Sequence, residues 1–131
     1  MSFLAKLIID DDTMNILDCS FSFEQGADHS GKPSQRPRGG QIDVLIESTK
    51  KTDFLEWMLS TDSVKSGEIV FYKRDNLSGL KKIEFKNAFC LKYEESFHAT
   101  DKDPFRTRLV ISTKELSVNS TNYQNLWFSK N

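Results

Sequence analysis

Hydrophobic and polar residues alternate along most of the chain, which is typical of β-strands that rest one face on a core. Because successive side chains of a strand point to opposite faces, the alternation predicts one buried and one solvated face. The clearest inner face, in residues 16–23, consists of Leu17, Cys19, Phe21 and Phe23. The other strand-like runs are residues 3–9, 41–48, 68–74, 80–86, 88–97, 105–113 and 115–118. About eight strands are therefore predicted.

One segment, residues 52–60, has its apolar side chains at helical spacing instead. Its core face is predicted to consist of Phe54, Trp57 and Met58, widened by Leu55 and Leu59. Thr52 can cap the helix at its N-terminus, and Asp53 suits the positive first turn. Many short strands with one inserted helix predict a mainly β protein, an antiparallel barrel or sandwich. Without a repeat or a second-domain boundary, residues 1–131 are predicted to form one domain.

Residues 26–40 interrupt the strand pattern with four of the six glycines, two of the three prolines and three basic residues. Proline fixes φ and lacks an N–H, and glycine admits positive φ, so neither a helix nor an inner strand can continue here. A loop of this length in a compact domain is usually functional or disordered. Its composition leaves two interpretations open, a floppy hairpin loop and an arm that reaches for a partner.

The composition excludes several functions. The 131 residues carry a net charge of −1, which gives no overall field to attract nucleic acid or an acidic membrane. No run approaches the ~20 apolar residues of a membrane span. The first apolar run is interrupted by Lys6 and ends in three aspartates, so no signal peptide is predicted and the protein is expected in the cytoplasm. Cys19 and Cys90 lie in strand-like runs and are expected to be buried free thiols.

No catalytic, metal or cofactor site is predicted. Both histidines, His29 and His98, lie in polar turns without an obvious nucleophile, and no nucleophile elbow, P-loop or zinc-protease motif occurs. The run 10–12 of aspartates lacks the ligand spacing of a calcium loop and is interpreted as a solvated turn. Glu94 and Glu95 are adjacent in a strand, so they face opposite ways and cannot form an acid–base pair.

Six stretches, in order along the chain, resemble the haemolysin-coregulated protein (Hcp) family, the tube protein of type VI secretion systems, and most of all its Bacteroidetes-type branch. They are residues 1–7, 17–23, 31–40, 47–49, 54–58 and 70–75. The likeness covers residues 1–118. The tail 119–131 is the least characteristic part, and its role is left open.

The resemblance implies a small antiparallel β-barrel of two sheets, with one helix at about residues 52–60 to one side and a long loop at about 25–39 between strands 2 and 3. It implies hexameric rings that stack into a tube, a contractile sheath around the tube, a trimeric spike and baseplate, and effectors in the lumen. It also implies that the protein is not an enzyme. No cofactor, nucleic acid or membrane insertion is expected.

The resemblance implies that the loop reaches toward a neighbouring ring. We expect Lys32, Arg36 and Arg38 to contact acidic or carbonyl groups there, and Pro33 and Pro37 to limit the entropy cost of ordering the loop. Two strands that could present both of their faces to partners, 41–48 and 88–97, are candidates for the ring interface or the lumen. Their candidate residues are Ile42, Val44, Ile46, Phe89, Leu91 and Tyr93. The loop is expected to be mobile in a lone subunit and fixed in a stack. Two alternatives are a tail-tube protein of a related phage-like contractile particle and a monomeric ligand-binding β-barrel.

Overall fold

Seven antiparallel strands and one short helix make up the part of the chain that the computed structural model describes, residues 3–49, 52–73, 75 and 79–127. In chain order they are β1 (Phe3–Ile9), β2 (Asp12–Phe21), β3 (Gln41–Glu47), α1 (Phe54–Leu59), β4 (Lys65–Lys73), β5 (Gly79–Phe97), β6 (Phe105–Val118) and β7 (Thr121–Gln124). Residue 74 of the predicted fourth strand and residues 128–131 of the predicted tail lie outside the described residues.

The strands form a closed barrel with an additional strand at its side. Their order is β3-β2-β1-β4-β5-β6-β7, and β3 also pairs with β6, which closes a ring of six strands. One edge of β6 serves two partners, since Arg106 to Ser112 pair with β3 and Glu115 to Val118 pair with β7. The mainly β, antiparallel barrel with one helix is confirmed.

The core lies inside the barrel and under the helix. Its fully buried side chains come from the inner faces of the strands and include Leu7, Ile9, Ile42, Ile46, Ile69, Ile83, Phe85, Leu109, Ile111 and Leu116. The helix adds Phe54 and Trp57, and Met58 packs against them half-buried. The Trp57 indole donates to the carbonyl of Ser63 at 3.1 Å, so this large side chain is buried without losing its hydrogen bond.

The helix is shorter than its sequence pattern predicts. Its N-cap is Asp53, whose carboxylate accepts from the Glu56 amide at 2.9 Å, so the prediction of Thr52 as the cap is wrong. Leu55 and Leu59 face solvent, and Leu59 is 72% exposed. A helix of six residues buries only one narrow face, so the side chains that widen the apolar stripe stay exposed to solvent.

Four register shifts interrupt the strand pairing of the described residues, and two of them, both β-bulges, correct the predicted strand faces. One lies between Ile16 and Asp18 and leaves Leu17 exposed, so the prediction that Leu17 shares the inner face with Cys19 and Phe21 is wrong. The other lies between Cys90 and Lys92. A bulge adds one residue to a strand, and every side chain beyond it changes face relative to strict alternation.

Strand boundaries also differ from the sequence pattern. The predicted strands 80–86 and 88–97 are one strand, β5, which bends at Asn87 with φ of 55°. The predicted strands 105–113 and 115–118 are likewise one strand, β6. Each of these long strands pairs with two other strands of the barrel, β5 with β4 and β6, and β6 with β5 and β3.

The aspartate run forms the β1–β2 turn and one buried contact. Asp10 and Asp11 have φ of 52° and 62°, the left-handed conformation that a two-residue hairpin turn requires. Asp12 is only 5% exposed, and its Oδ2 accepts from the hydroxyls of Thr49 at 2.6 Å and Thr52 at 3.1 Å. The predicted solvated turn is therefore correct for two residues and wrong for the third, which ties the hairpin to the segment before α1.

We predict that Asp12→Ala lowers the free energy of unfolding by about 1–3 kcal/mol, because two threonine hydroxyls lose a buried acceptor. The measurement is urea unfolding, with the exposed Asp11→Asn as the matched control. The loss in Asp12→Ala should shrink when Thr52→Val is already present, since one of the two donors is then gone. Full additivity of the two substitutions would contradict this account.

Candidate interface: the arm between β2 and β3

The segment between β2 and β3, residues 25–39, is a hairpin that projects from the barrel, and we call it the arm. At its base the backbones of Glu24 and Arg38 exchange two hydrogen bonds, at 2.9 and 2.7 Å. Further out, the Ser34 amide donates to Gly26 at 2.8 Å and the Asp28 amide donates to Lys32 at 2.8 Å. The arm is therefore a hydrogen-bonded hairpin rather than an open coil.

The tip of the arm is organised by one carboxylate. Oδ1 of Asp28 accepts from the Ser30 hydroxyl at 2.7 Å, from the Ser30 amide at 2.9 Å and from the Lys32 amide at 3.1 Å. Gly31 completes the turn with φ of +92°. These hydrogen bonds, above all that of the Ser30 hydroxyl, hold the pKa of Asp28 below its ordinary value of 3.8 because they favour the charged form.

The basic and proline residues predicted to make the ring contact all lie exposed on the arm: Lys32, Pro33, Arg36, Pro37 and Arg38. Within the described chain, the side chains of Lys32 and Arg36 have no hydrogen-bond or ion-pair partner. Arg38 faces Glu24 at 3.8 Å, but both side chains are largely exposed, and such pairs contribute little. Three cations are thus available to acceptors outside the subunit.

A groove of about 490 Å³ separates the arm from the C-terminal segment. One wall carries Arg36, Pro37 and Arg38, and the other is made of residues 122–126. Tyr123, in the second wall, also meets the ring of Phe23 edge to face at 5.0 Å. This contact between the arm and the tail was not predicted, because it joins parts of the chain that are 86 residues apart at Gly39 and Asn125.

The structure places the β3 residues proposed for the interface or lumen inside the subunit. Ile42, Val44 and Ile46 are 0–1% exposed in the core, so these side chains are not available to a neighbour or a lumen. The opposite face carries Asp43 and Glu47; Asp43 accepts from Arg108 at 2.6 Å. If β3 lines an interface or a lumen, which stays a prediction, it does so through this polar face.

The three β5 residues of the same prediction do not share one environment, because the bulge after Cys90 separates them. Phe89 is half-buried, with its ring 5.4 Å from that of Trp127. Leu91 is 48% exposed. Tyr93 packs against the core, and its hydroxyl donates to Glu95 at 2.9 Å. Leu91 is thus the one of these three whose side chain is open to a partner.

The described residues contain no group of three metal-ligating side chains, and no helix among them has the length and hydrophobicity to span a membrane. Both cysteines are free. Burial, with the neighbouring charges of Asp18 and Asp43, raises the pKa of the Cys19 thiol to about 11, so this sulfur is a thiol at neutral pH. An exposed aromatic pair at the end of the β5–β6 hairpin, Phe97 and Phe105 at 4.8 Å, was missed as a surface feature.

Comparison with known proteins agrees with this geometry. A family model described as "Hemolysin coregulated protein Hcp (TssD)" matches residues 1–128. The solved structure of Hcp1 from Flavobacterium johnsoniae has a TM-score of 0.86 and 33% identity, covering 93% of this chain and 99% of that one. A search of curated proteins found no match.

Two more distant structures share the fold. Hcp1 from Salmonella typhimurium has a TM-score of 0.71 at 14% identity, with 94% of this chain and 92% of that one covered. A chain in the sheath–tube complex of PVC, an extracellular contractile injection system, has a TM-score of 0.53 at 18% identity, with 89% and 88% covered.

We predict that Asp28→Ala loosens the tip of the arm, because the amides of Ser30 and Lys32 lose their shared acceptor. Amide hydrogen exchange of residues 28–34 should accelerate, while the neighbouring exposed His29→Ala leaves it unchanged. In the unsubstituted protein, the protection of the same amides relative to their intrinsic exchange rates should fall under acid. Since the pKa of Asp28 is lower when folded, its contribution is complete above about 3.8 and is lost as pH falls through the folded value. Equal exchange in both variants would refute the role of this carboxylate.

Proposed function

The chain belongs to the Hcp (TssD) family, the tube proteins of type VI secretion systems, and we propose that its arm makes the contact between successive rings of the tube. The protein is a structural subunit of that tube, in a family that assembles into rings and tubes and is secreted. The 33% identity to a Flavobacterium protein agrees with the Bacteroidetes-type branch.

The observation that carries the proposal is a set of unpartnered cations on a projecting hairpin. Lys32 and Arg36 find no acceptor within the described chain, and Arg38 has only a weak, exposed one. Acidic side chains or carbonyl groups of a subunit in the next ring are the acceptors that suit them, and an arginine can hold a carboxylate with two hydrogen bonds.

The arm is also built to limit the entropy lost on contact. Its backbone is already hydrogen-bonded at the base and the tip, and Pro33 and Pro37 restrict the chain further. A preformed hairpin leaves more of its contact energy as binding energy. Each contact is weak, yet it recurs around a closed ring and along an open stack, so the total is large.

The rings are proposed to be hexamers, with a contractile sheath outside, a trimeric spike and baseplate at the end, and effectors in the lumen. Assembly is proposed to take place in the cytoplasm before export. The sheath is supported by the similar fold of a chain in the PVC sheath–tube complex. A tail-tube protein of a phage-like particle is the second candidate, and the same likeness is what favours it. A ligand-binding barrel is disfavoured because core side chains such as Ile69 and Ile83 fill the interior.

We expect native mass measurement of the purified protein to give six-membered rings. A closed ring buries the same heterologous contact six times, so intermediate species should be sparse. A monomer that persists at high concentration would contradict a tube subunit and favour the ligand-binding barrel.

The stacking contact is tested by the double variant Arg36→Glu, Arg38→Glu. Reversing both charges should leave the ring intact but abolish tubes in electron micrographs and block secretion, because like charges then meet at each contact. The matched control is Lys81→Glu with Lys102→Glu, which changes the net charge equally at exposed sites away from the arm. Normal tubes and normal secretion by the arm variant would rule out the proposed contact.

A further inference from the structure

We propose that the C-terminal segment, residues 121–127, is a clamp that fixes the direction of the arm, with Tyr123 and Asn125 as its positioning residues. The inference rests on the proposed function of the arm for its purpose, but the clamp itself rests on contacts within one subunit. It gives a role to the tail that neither the strand pattern nor the family resemblance explains.

The clamp closes a gap in the β-ladder. At Ser112 the partner of β6 is β3, and from Glu115 onward it is β7. Between them the carbonyl of Thr113 is paired with neither strand, and Nδ2 of Asn125 donates to it at 2.8 Å. A buried carbonyl left without a donor is costly, so the amide is needed at this position.

The same amide group holds the end of the arm. Nδ2 of Asn125 also donates to the carbonyl of Gly39 at 3.2 Å, and the Thr113 amide donates to the carbonyl of Gly40 at 2.8 Å. The Asn125 backbone is itself fixed, because its amide donates to Lys114 at 2.8 Å. One side chain thus joins the last residue of the arm to the wall of the barrel.

Gly40 shows how closely the two parts fit. Its φ is +90°, and a Cβ there would lie 2.5 Å from Nδ2 of Asn125 and 3.1 Å from the Thr113 carbonyl oxygen. Only glycine meets both conditions, since other residues rarely adopt this φ and have no space for a side chain. The angle at which the arm leaves β3 is therefore set where Asn125 binds.

Tyr123 orients the asparagine and holds the other limb of the arm. Its hydroxyl donates to Oδ1 of Asn125 at 3.0 Å, which turns Nδ2 toward the two carbonyls. Its ring packs edge to face on Phe23, the residue by which β2 leads into the arm. Aromatic pairs in this geometry add binding energy beyond their buried area. One limb of the hairpin therefore contacts Tyr123 and the other contacts Asn125, and these two residues are hydrogen-bonded to each other.

The clamp is anchored independently of the arm. Four residue pairs join β7 to β6, from Glu115–Gln124 to Val118–Thr121. Beyond Asn125 the ring of Trp127 packs 5.4 Å from that of Phe89 on β5. An isolated two-stranded hairpin is marginal in water, and the arm adds no buried apolar cluster of its own. The direction of the arm must therefore be set where the arm joins the barrel, and there it contacts the clamp.

The test uses unstacked rings of the full chain and the variant Asn125→Asp, which keeps the shape and the Tyr123 contact but loses both Nδ2 donors. Its control is Asn122→Asp, with the same change of charge three residues earlier at an exposed side chain. We expect amide exchange at Glu24 and Arg38 to be on the order of tenfold faster in Asn125→Asp and unchanged in the control. Exchange in β4, remote from the arm, should be unchanged in both variants, which separates local loosening from general unfolding.

Unchanged exchange at Glu24 and Arg38 in Asn125→Asp would overturn the clamp. Should that variant not fold, Tyr123→Phe removes only the hydroxyl, and the same amides should exchange faster; no change there overturns the clamp equally. The length of the stacked tubes then tests whether the clamp positions the arm for stacking. Asn125→Asp should give intact rings in shorter stacks than Asn122→Asp. Stacks of equal length would overturn the positioning role. The proposed function of the arm fails on a different result, which is normal tubes from the variant Arg36→Glu, Arg38→Glu.

Discussion

The pairing of β3 with β6 is the constraint on which the rest of the structure depends. It closes six strands into a barrel and gives the second edge of β6 a partner from Arg106 to Ser112. It also determines where the arm stands. The ladder begins at Gln41 opposite Ser112, so the chain must leave the barrel at Gly40, just where β6 changes its partner from β3 to β7. The arm therefore joins the barrel beside the part of β6, between Ser112 and Glu115, that pairs with neither β3 nor β7.

Much of the fold follows from the sequence, because period-two alternation reports burial directly. Strands β1 to β6 were predicted on that basis, and helical spacing predicted the helix with its buried Phe54 and Trp57; β7 was not predicted. The two bulges were not predicted, for a physical reason. At Leu17 and Leu91 the added residue is itself apolar. The apolar–polar alternation of the sequence therefore continues unbroken, although the pairing register of the strand has shifted by one residue. The sequence pattern did not separate core from interface at Ile42, Val44 and Ile46, which the structure buries, because both settings require the same apolar side chains.

The arm illustrates the opposite case, in which composition marks a candidate functional segment but does not describe its structure. Glycine, proline and basic residues predicted a projecting loop, and the resemblance suggested what it contacts. The hydrogen bonds that make it a hairpin come from Asp28 at the tip and from backbone pairs across the limbs, and none of these has a distinctive local signature. The contact of Asn125 with Gly39 joins residues 86 apart, so only the folded barrel brings them together.

Assembly by many weak contacts places a stricter demand on direction than on strength. From Gly40 to the turn at Gly31 the arm has nine residues, which at about 3.3 Å each reach at most roughly 30 Å. An error of about 10° at the root would displace the tip by roughly 5 Å, more than the length of a hydrogen bond. Stronger cations at the tip could not correct such an error, because a contact in the wrong place fails at every subunit of the ring. In the proposed stack, the residues that fix the root would therefore control stacking as directly as the arginines proposed to make the contact, although they would touch no other subunit.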